Sequence, residues 1–189
     1  MSRALLLALA LCWQFALAVE IEGVGVDDRV RVGASELQLN GAGVRTRIIF
    51  RVYVGALYLP ERKSSAADIL SLGGPKRVAM TMLRDLSARQ LVDALEAGIR
   101  ANHSEAELAA LKARVDALVA VMNEIGGAKE KTVITLDFLP ESGTQISVDG
   151  VARGKAIPGE DFYAALLKIW LGERPVDADL KRAMLGQGR

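Results

Sequence analysis

Residues Leu39 to Pro60 constrain the fold of this chain more than any other segment, and their sequence is LNGAGVRTRIIFRVYVGALYLP. In an extended strand, alternate side chains lie on opposite faces. One face then carries the mainly apolar residues Ile48, Phe50, Val52, Val54, Ala56 and Tyr58. The other face carries Arg45, Arg47, Arg51 and Tyr53. The pattern predicts a long antiparallel strand with one buried face and one polar face.

Arg45 is the candidate binding residue of this segment. It follows Gly41-Ala42-Gly43, a stretch that can adopt backbone angles other residues resist, so its guanidinium could point inward. An inward guanidinium can bind a planar anion through two parallel hydrogen bonds. A solvated arginine on a half-exposed strand is the alternative. We favour that alternative for Arg47 and Arg51, whose stems can lie along apolar surface.

Two helices are predicted after this strand region from the signals at their starts. Ser87 with Gln90, and Ser104 with Glu107, have the spacing of a capping box, in which side chains satisfy free backbone N–H groups. The second helix carries an apolar stripe that ends before Gly126-Gly127, and we interpret the stripe as core packing. The stripe consists of Leu108, Leu111, Val115, Leu118 and Met122.

The chain then returns to strands. Ile134, Leu136 and Phe138 alternate with other residues, and Asp149-Gly150 between two further strand patterns is a strong hairpin signal. A helix with an apolar face that includes Phe162 follows. Strands, then helices, then strands and helices again predict an α+β fold, in which a mostly antiparallel β-sheet is covered on one face by a layer of helices.

Three motifs, in the same order along the chain, resemble the chalcone isomerase-like family. The first is GAGVR followed by an aromatic strand that ends in GALYLP. The second is a strand over residues 76–83 followed by Arg84-Asp85-Leu86-Ser87 and a helix. The third, residues 159–172, is similar to the closing helix of the bacterial, exported branch. The resemblance implies the family's open-faced sandwich of sheet and helices.

The resemblance also implies which positions bear on chemistry. In the plant enzymes an arginine holds the substrate while hydroxyl and amide groups assist, and only the arginine is kept here, as Arg45. The assisting positions fall at Tyr53, Leu91, Gly98 and Ile169. Leucine and glycine side chains donate no hydrogen bond, and losing one oriented donor typically raises a barrier by roughly 2.7 to 4 kcal/mol. The substitutions therefore argue against efficient chalcone cyclisation.

A ligand cleft is predicted between the sheet and the helix that begins after Ser87. Arg45 would hold the anionic group, and Leu91 would supply apolar wall. The resemblance to fatty-acid-binding members of the fold implies that a tyrosine assists the arginine, and Tyr53 and Tyr58 are both candidates. An apolar cleft with a single cation suits a small amphipathic acid, either fatty or phenolic.

The N-terminus has the organisation of a signal peptide. Met1-Ser2-Arg3 is a short basic region, residues 4–18 are largely apolar, and Ala16-Leu17-Ala18 offers a small-x-small cleavage site. A membrane anchor is the alternative, but an apolar stretch of about 15 residues falls short of the roughly 20 needed to span a bilayer. We predict cleavage near Ala18, a periplasmic or secreted protein, and a single domain over residues 19–189 without a membrane span.

Composition argues against several other classes of function. The chain has 24 basic and 23 acidic residues, which gives no basic excess for a nucleic-acid partner. Cys12 is the only cysteine and lies within the predicted signal peptide, while His103 is the only histidine and is expected in a solvated loop. Metal sites would lack their usual ligands. Gly23-Val24-Gly25 lacks the third glycine of a dinucleotide fingerprint, so no cofactor is predicted.

Three functions remain open from the sequence. The favoured one is non-catalytic binding of an amphipathic acid, with Arg45 as the anion clamp. The second is residual isomerase or intramolecular lyase activity on a chalcone-like substrate. The third is a structural or partner-binding role in the cell envelope, in which Arg45 pairs with a buried carboxylate of the protein itself.

Overall fold

The computed structural model describes residues 19–187, so the predicted signal peptide over residues 1–18 lies outside the described range. The strands are β1 (Val19–Ile21), β2 (Val24–Val26), β3 (Arg29–Val32), β4 (Ser35–Arg47), β5 (Phe50–Leu59), β6 (Lys76–Met82), β7 (Leu86–Ser87), β8 (Gly127–Ala128), β9 (Val133–Leu139), β10 (Gly143–Val148) and β11 (Val151–Ile157). The helices are α1 (Ala66–Leu70), α2 (Ala88–Ala101), α3 (Glu105–Ile125), α4 (Glu160–Leu171) and α5 (Ala178–Met184).

Seven strands form one antiparallel sheet in the order β11-β10-β9-β6-β5-β4-β3. The main core fills the space between this sheet and the helices, with Phe138, Phe162 and Leu166 almost fully buried. A smaller apolar cluster, centred on Leu37 and Val54, lies on the other face of the sheet. The predicted α+β class, with a helical layer on one face of an antiparallel sheet, is confirmed.

The local signals that predicted helix ends and one turn are confirmed. Ser87 and Ser104 each cap a helix in a complete capping box, at the starts of α2 and α3. Gly126 ends α3 with a φ of 78°, a left-handed angle that glycine adopts without strain. Asp149 and Gly150 both have positive φ and connect β10 to β11, as expected for an Asp-Gly hairpin turn.

The prediction of one long strand from Arg45 to Tyr58 is wrong, because the chain turns back at Ile48 and Ile49. β4 and β5 form a hairpin in which Arg45 pairs with Tyr53. Two register shifts interrupt this hairpin, one at Asn40 and one opposite the Arg45–Thr46 step. Each shift is a β-bulge that inserts one unpaired residue and so changes which face the following side chains occupy.

The bulge at Asn40 decides where Arg45 lies. Leu37 and Leu39 point to the smaller cluster, whereas Gly41 and Gly43 face the helices. Without the extra residue, alternation would have placed the odd positions of β4 on the same face throughout. The Asn40 side chain is buried: its amide nitrogen donates to the carbonyl oxygens of Lys63 (2.9 Å) and Met184 (2.7 Å), and its oxygen accepts from the Lys63 N–H (2.7 Å).

The two glycines before Arg45 serve packing, which corrects the expectation that they provide unusual backbone angles. Neither Gly41 nor Gly43 has a positive φ, and both lie within β4. A Cβ atom at Gly41 would lie 2.0 Å from the carbonyl oxygen of Ala183, and one at Gly43 would lie 2.6 Å from the Ala183 Cβ. Their missing side chains therefore allow α5 to lie directly on the strand.

Candidate functional site

A cavity of about 330 Å³ lies between the sheet and helices α2, α3 and α4. Most of its wall is apolar and comes from both layers of the fold. Examples of these side chains are Met80, Met82, Leu118, Met122, Leu136 and Ile146. The polar lining residues are Arg45, Arg47, Tyr53, Arg84, Gln90 and Trp170. Among the lining residues of the described chain there is no acid and no histidine.

Arg45 is half-buried on β4, and its guanidinium carbon lies 5.5 Å from the centre of the Tyr53 ring. Its Nε atom is buried and has no hydrogen-bond partner within residues 19–187. No carboxylate of those residues lies within 4.0 Å of its guanidinium nitrogens, so the alternative in which Arg45 pairs with a buried carboxylate is not what the structure shows. A buried N–H without a partner costs free energy unless a ligand accepts from it.

The nearby Asp177 already has other partners. Its carboxylate accepts hydrogen bonds from the backbone N–H groups of Asp179 and Leu180 at the start of α5. It also accepts from the N–H of Thr46, the residue after Arg45, at 2.8 Å. This contact fastens the end of β4 to α5 and so holds the backbone next to Arg45.

Tyr53 contributes a buried hydroxyl to the same region. The residue is 5 % exposed, and its hydroxyl oxygen accepts a hydrogen bond of 2.7 Å from the indole N–H of Trp170 on α4. Burial raises the pKa of Tyr53 above its ordinary value, and the neighbouring Arg45 opposes that rise. The hydroxyl is therefore protonated at neutral pH, and because it accepts from Trp170 its own proton remains able to be donated.

The second bulge enlarges the set of β5 side chains that reach the cavity. Val52 and Tyr53 are neighbours in sequence, yet both belong to the main core and line the cavity. Phe50, two residues earlier, also lines it. In a regular strand Val52 and Tyr53 would have pointed to opposite faces.

The cavity opens near the turn between β4 and β5. Ile48 and Phe50 line the cavity although they are 88 % and 52 % exposed, so they stand at its mouth. Arg47 and Arg84 line the same end and are themselves exposed. The guanidinium of Arg84 lies 4.8 Å from the centre of the Phe50 ring, in a cation–π contact.

The structure brings three of the four predicted site residues together. Arg45, Tyr53 and Leu91 all line the cavity. Tyr58 does not: it lies in the smaller cluster on the other face of the sheet, where burial raises its pKa to about 12. Its position corrects the suggestion that Tyr58 could take the place of Tyr53.

Two further positions singled out by the family resemblance lie at or beside the cavity. Ile169 lines it. Gly98 does not, and a Cβ atom there would lie 2.9 Å from the Ile169 Cγ2, so its place is the close contact between α2 and α4. Neither side chain can donate a hydrogen bond, in keeping with the expectation from the sequence.

His103 departs from its expected solvated position. It is half-buried, its Nδ1 lies 2.8 Å from the carbonyl oxygen of Ile99, and its Nε2 is buried without a partner in the described part of the chain. The histidine does not line the cavity. Within residues 19–187 no group of three or more metal-ligating side chains comes together, and no helix there has the length and hydropathy of a bilayer span.

Sequence reasoning missed Trp170, Arg84 and the methionines of the wall. No local pattern links Trp170 to Tyr53, because their hydrogen bond joins residues 117 positions apart. Arg84 carried a signal that could have been used, since it immediately follows a predicted strand and precedes a capped helix. Side chains at such a junction lie at the end of a sheet, where clefts often open.

Comparisons with known proteins agree with this fold. Residues 18–186 match the model of a family described as chalcone isomerase-like. No curated protein matches the sequence at a significant level. Among solved structures, the chain is similar to a fatty-acid binding protein from Arabidopsis thaliana, with a TM-score of 0.73 over 89 % of this chain and 96 % of that one. The sequence identity is 13 %, so this likeness concerns the fold.

Proposed function

Because the chain belongs to the chalcone isomerase-like family, and its fold encloses an apolar cavity with an inward arginine, we propose that it binds a small amphipathic acid without converting it. The acid is fatty or phenolic. Its apolar part occupies the cavity between sheet and helices, and Arg45 holds its carboxylate or phenolate. The solved structure from Arabidopsis thaliana, described as a fatty-acid binding protein, has the same fold and supports this class of ligand.

The unpaired Nε of Arg45 is the observation that carries the proposal. Arg45 is half-buried, and its buried Nε–H has neither a hydrogen-bond acceptor nor a carboxylate partner within the described chain, so this donor is unsatisfied. A ligand carboxylate would accept from it and could accept a second hydrogen bond from the Tyr53 hydroxyl. A charge-assisted hydrogen bond contributes about 1.5 to 3 kcal/mol, whereas the apolar wall contributes about 25 cal/mol per Å² of ligand surface removed from water.

The apolar character of the remaining wall supports binding without turnover. General acid–base chemistry needs a group that exchanges protons near neutral pH, and no histidine or carboxylic acid lines the cavity in the described chain. Tyr53 is kept protonated by its raised pKa. Leu91 and Ile169, at positions that resemble assisting positions of the plant enzymes, add only apolar surface.

The test is ligand binding by wild type and an Arg45→Met variant, which keeps an unbranched apolar stem and removes the charged guanidinium. Octanoic, dodecanoic, hexadecanoic and coumaric acids are titrated by calorimetry, and native mass spectrometry identifies any acid that copurifies. We expect Arg45→Met to weaken binding of the acids by about ten- to a hundredfold, as the loss of a charged hydrogen bond predicts. Arg100→Met is the matched control, because Arg100 is exposed on α2 and does not line the cavity.

Uncharged analogues separate the role of the arginine from that of the wall. Octanol, dodecanol and hexadecanol offer the same chains without an anion, so Arg45→Met should change their affinities little. Equal weakening of acids and alcohols would contradict the anion clamp, and no binding of any acid by wild type would refute the proposed function. Turnover of a chalcone that disappears in Arg45→Met would instead favour the isomerase alternative.

We also propose that the protein acts outside the cytoplasm, after cleavage near Ala18. The support comes from the basic and apolar N-terminal residues, and from the family match, which begins at residue 18. Mass spectrometry of the protein isolated from the exported fraction should give a chain that starts at Val19. A chain that retains residues 1–18 and stays with the cytoplasmic fraction would refute export.

A further inference from the structure

The turn between β4 and β5 presents three consecutive apolar side chains to solvent. We name Ile48, Ile49 and Phe50 the hairpin tip. They are 88 %, 79 % and 52 % exposed. Large apolar side chains are normally exposed one at a time, so a run of three at a projecting turn indicates a contact surface.

The backbone of the hairpin tip is itself unusual. Ile48 has a φ of +61°, a left-handed angle that a β-branched residue adopts only with strain. Glycine or asparagine would make this turn with less strain. The turn thus carries a large apolar side chain at a position where local energetics disfavour one.

Arginines surround the hairpin tip. Arg47 precedes it, and Arg84 lies against the Phe50 ring. Within residues 19–187 neither has a carboxylate within 4.0 Å, whereas Arg51, on the other side of the tip, pairs with Glu22. The hairpin tip is therefore an exposed apolar surface flanked by two arginines that have no carboxylate partner in the described chain. Such a surface is complementary to an anionic lipid bilayer, in which apolar chains lie beneath a negatively charged headgroup layer.

We propose that the hairpin tip inserts into anionic lipid bilayers, with Arg47 and Arg84 at the level of the headgroups. The tip projects rather than forming a groove, and a projecting apolar point can enter a deformable bilayer without a preformed pocket to receive it. Insertion of the hairpin tip into a bilayer does not require a ligand in the cavity. A role in ligand transfer rests on the proposed function. The tip stands at the cavity mouth, so an amphipathic acid could pass between the bilayer and the cavity without crossing open water.

Ile49 allows the surface to be tested apart from the cavity. It is 79 % exposed and, unlike Ile48 and Phe50, it does not line the cavity. Val151, 56 % exposed beside the turn between β10 and β11, is a matched control with an exposed β-branched side chain elsewhere. Among the described residues, the buried members of both clusters lie within residues 26–185, so a chain that starts at Val19 contains all of them and lacks Cys12.

The experiment uses this chain without added fatty acid, and Ile49→Cys or Val151→Cys labelled with an environment-sensitive fluorophore. Vesicles contain phosphatidylcholine alone or with about 30 % phosphatidylglycerol. We expect a blue shift of the label at position 49 with anionic vesicles, weakened by added salt, and none at position 151. In the unlabelled protein, Ile49→Asp should lower partitioning to anionic vesicles about tenfold or more, and Val151→Asp should not.

Two results would overturn the proposal. One is the absence of partitioning to anionic vesicles, which would leave an acidic protein surface as the remaining type of partner. The other is partitioning that shifts both labels equally or survives Ile49→Asp, which would place the lipid contact elsewhere. Because the assay contains no fatty acid, failure of the proposed ligand binding would leave its result unchanged. Conversely, Ile49→Asp should still bind dodecanoic acid in solution.

Discussion

The packing of α5 on β4 leads to a prediction in which a second substitution relieves the effect of the first. In Gly43→Ala, the new Cβ would lie 2.6 Å from the Cβ of Ala183, a separation that requires the helix or strand to move. Overpacking of this kind costs about 1 to 3 kcal/mol, while replacing a strand glycine by alanine returns about 0.5 to 1 kcal/mol. Because 2.6 Å is far inside contact distance, we expect an overpacking cost in the upper part of this range, about 2 to 3 kcal/mol, and so a net loss of about 1 to 2 kcal/mol in the free energy of unfolding.

Ala183→Gly removes the atom that the new methyl group meets. Alone it should cost about 1 kcal/mol, because glycine is a poor helix former and Ala183 lies within α5. If the two changes acted independently, the double variant Gly43→Ala/Ala183→Gly would lose about 2 to 3 kcal/mol. With the overlap removed, we expect it to lose about 1 kcal/mol or less. Urea unfolding of the four proteins measures the coupling directly.

Substitutions at two other glycines separate this packing effect from the general effect of adding a methyl group. Gly41→Ala should cost more than Gly43→Ala and should not be relieved by Ala183→Gly, because its Cβ would lie 2.0 Å from the carbonyl oxygen of residue 183, which every amino acid carries. Gly73→Ala, with no atom within 4 Å of its added Cβ, should leave stability unchanged or slightly raised. Additivity of Gly43→Ala and Ala183→Gly within about 0.5 kcal/mol would refute the packing argument.

Three more predictions concern single residues. Tyr53→Phe removes the acceptor of the Trp170 indole N–H and should lower the free energy of unfolding by about 1 to 3 kcal/mol in urea titrations. Asn40→Ala removes three hydrogen bonds that fix a bulge, so it should lower stability by about 3 kcal/mol and also weaken acid binding through Arg45. The Ser104 backbone and hydroxyl hold the pKa of Glu107 down to about 2 from its ordinary 4.5, so Glu107→Gln should destabilise the protein above about pH 4.5 and progressively less toward pH 2.

The sign of the Glu107 effect follows from the direction of its shift. A carboxylate whose pKa is lower in the folded state stabilises that state above the unfolded pKa and loses this contribution as the pH falls. Gln90 fills the same place in the α2 capping box without a charge, so the effect of Gln90→Ala should be independent of pH. A pH-independent effect of Glu107→Gln would contradict the argument.

For Tyr53→Phe, the control is Tyr58→Phe, because Tyr58 lies outside the cavity.

Local signals in the sequence predicted the elements whose cause is local. The capping boxes at Ser87 and Ser104 need only residues within one helical turn, and Asp149-Gly150 specifies its own turn. The alternation of Ile134 and Leu136 with polar residues predicted a strand because successive side chains of a strand lie on opposite faces of the sheet. The order of these elements was sufficient for the α+β class and for the family resemblance.

Which side chains face the cavity depends on long-range contacts that the sequence does not reveal. Alternation along one straight strand assigned Tyr53 and Tyr58 to opposite faces but could not say which face meets the helices. The bulge at Asn40 depends on Lys63 and Met184, which lie 23 and 144 residues away. A single inserted residue reverses the face on which the following side chains lie, so the bulge at Asn40 directs Arg45 into the cavity. The contacts that fix this bulge are visible only in the folded chain.

The indole of Trp170 gives this protein a built-in optical reporter. In a chain that begins at Val19, Trp170 is the only tryptophan, since the other is Trp13. It lies on the cavity wall with its N–H bonded to the hydroxyl beside Arg45. An acid that draws the Tyr53 proton toward itself would change the electrostatic field at the indole, so its emission wavelength and quenching should follow cavity occupancy. Binding kinetics can then be recorded by stopped flow without any added label.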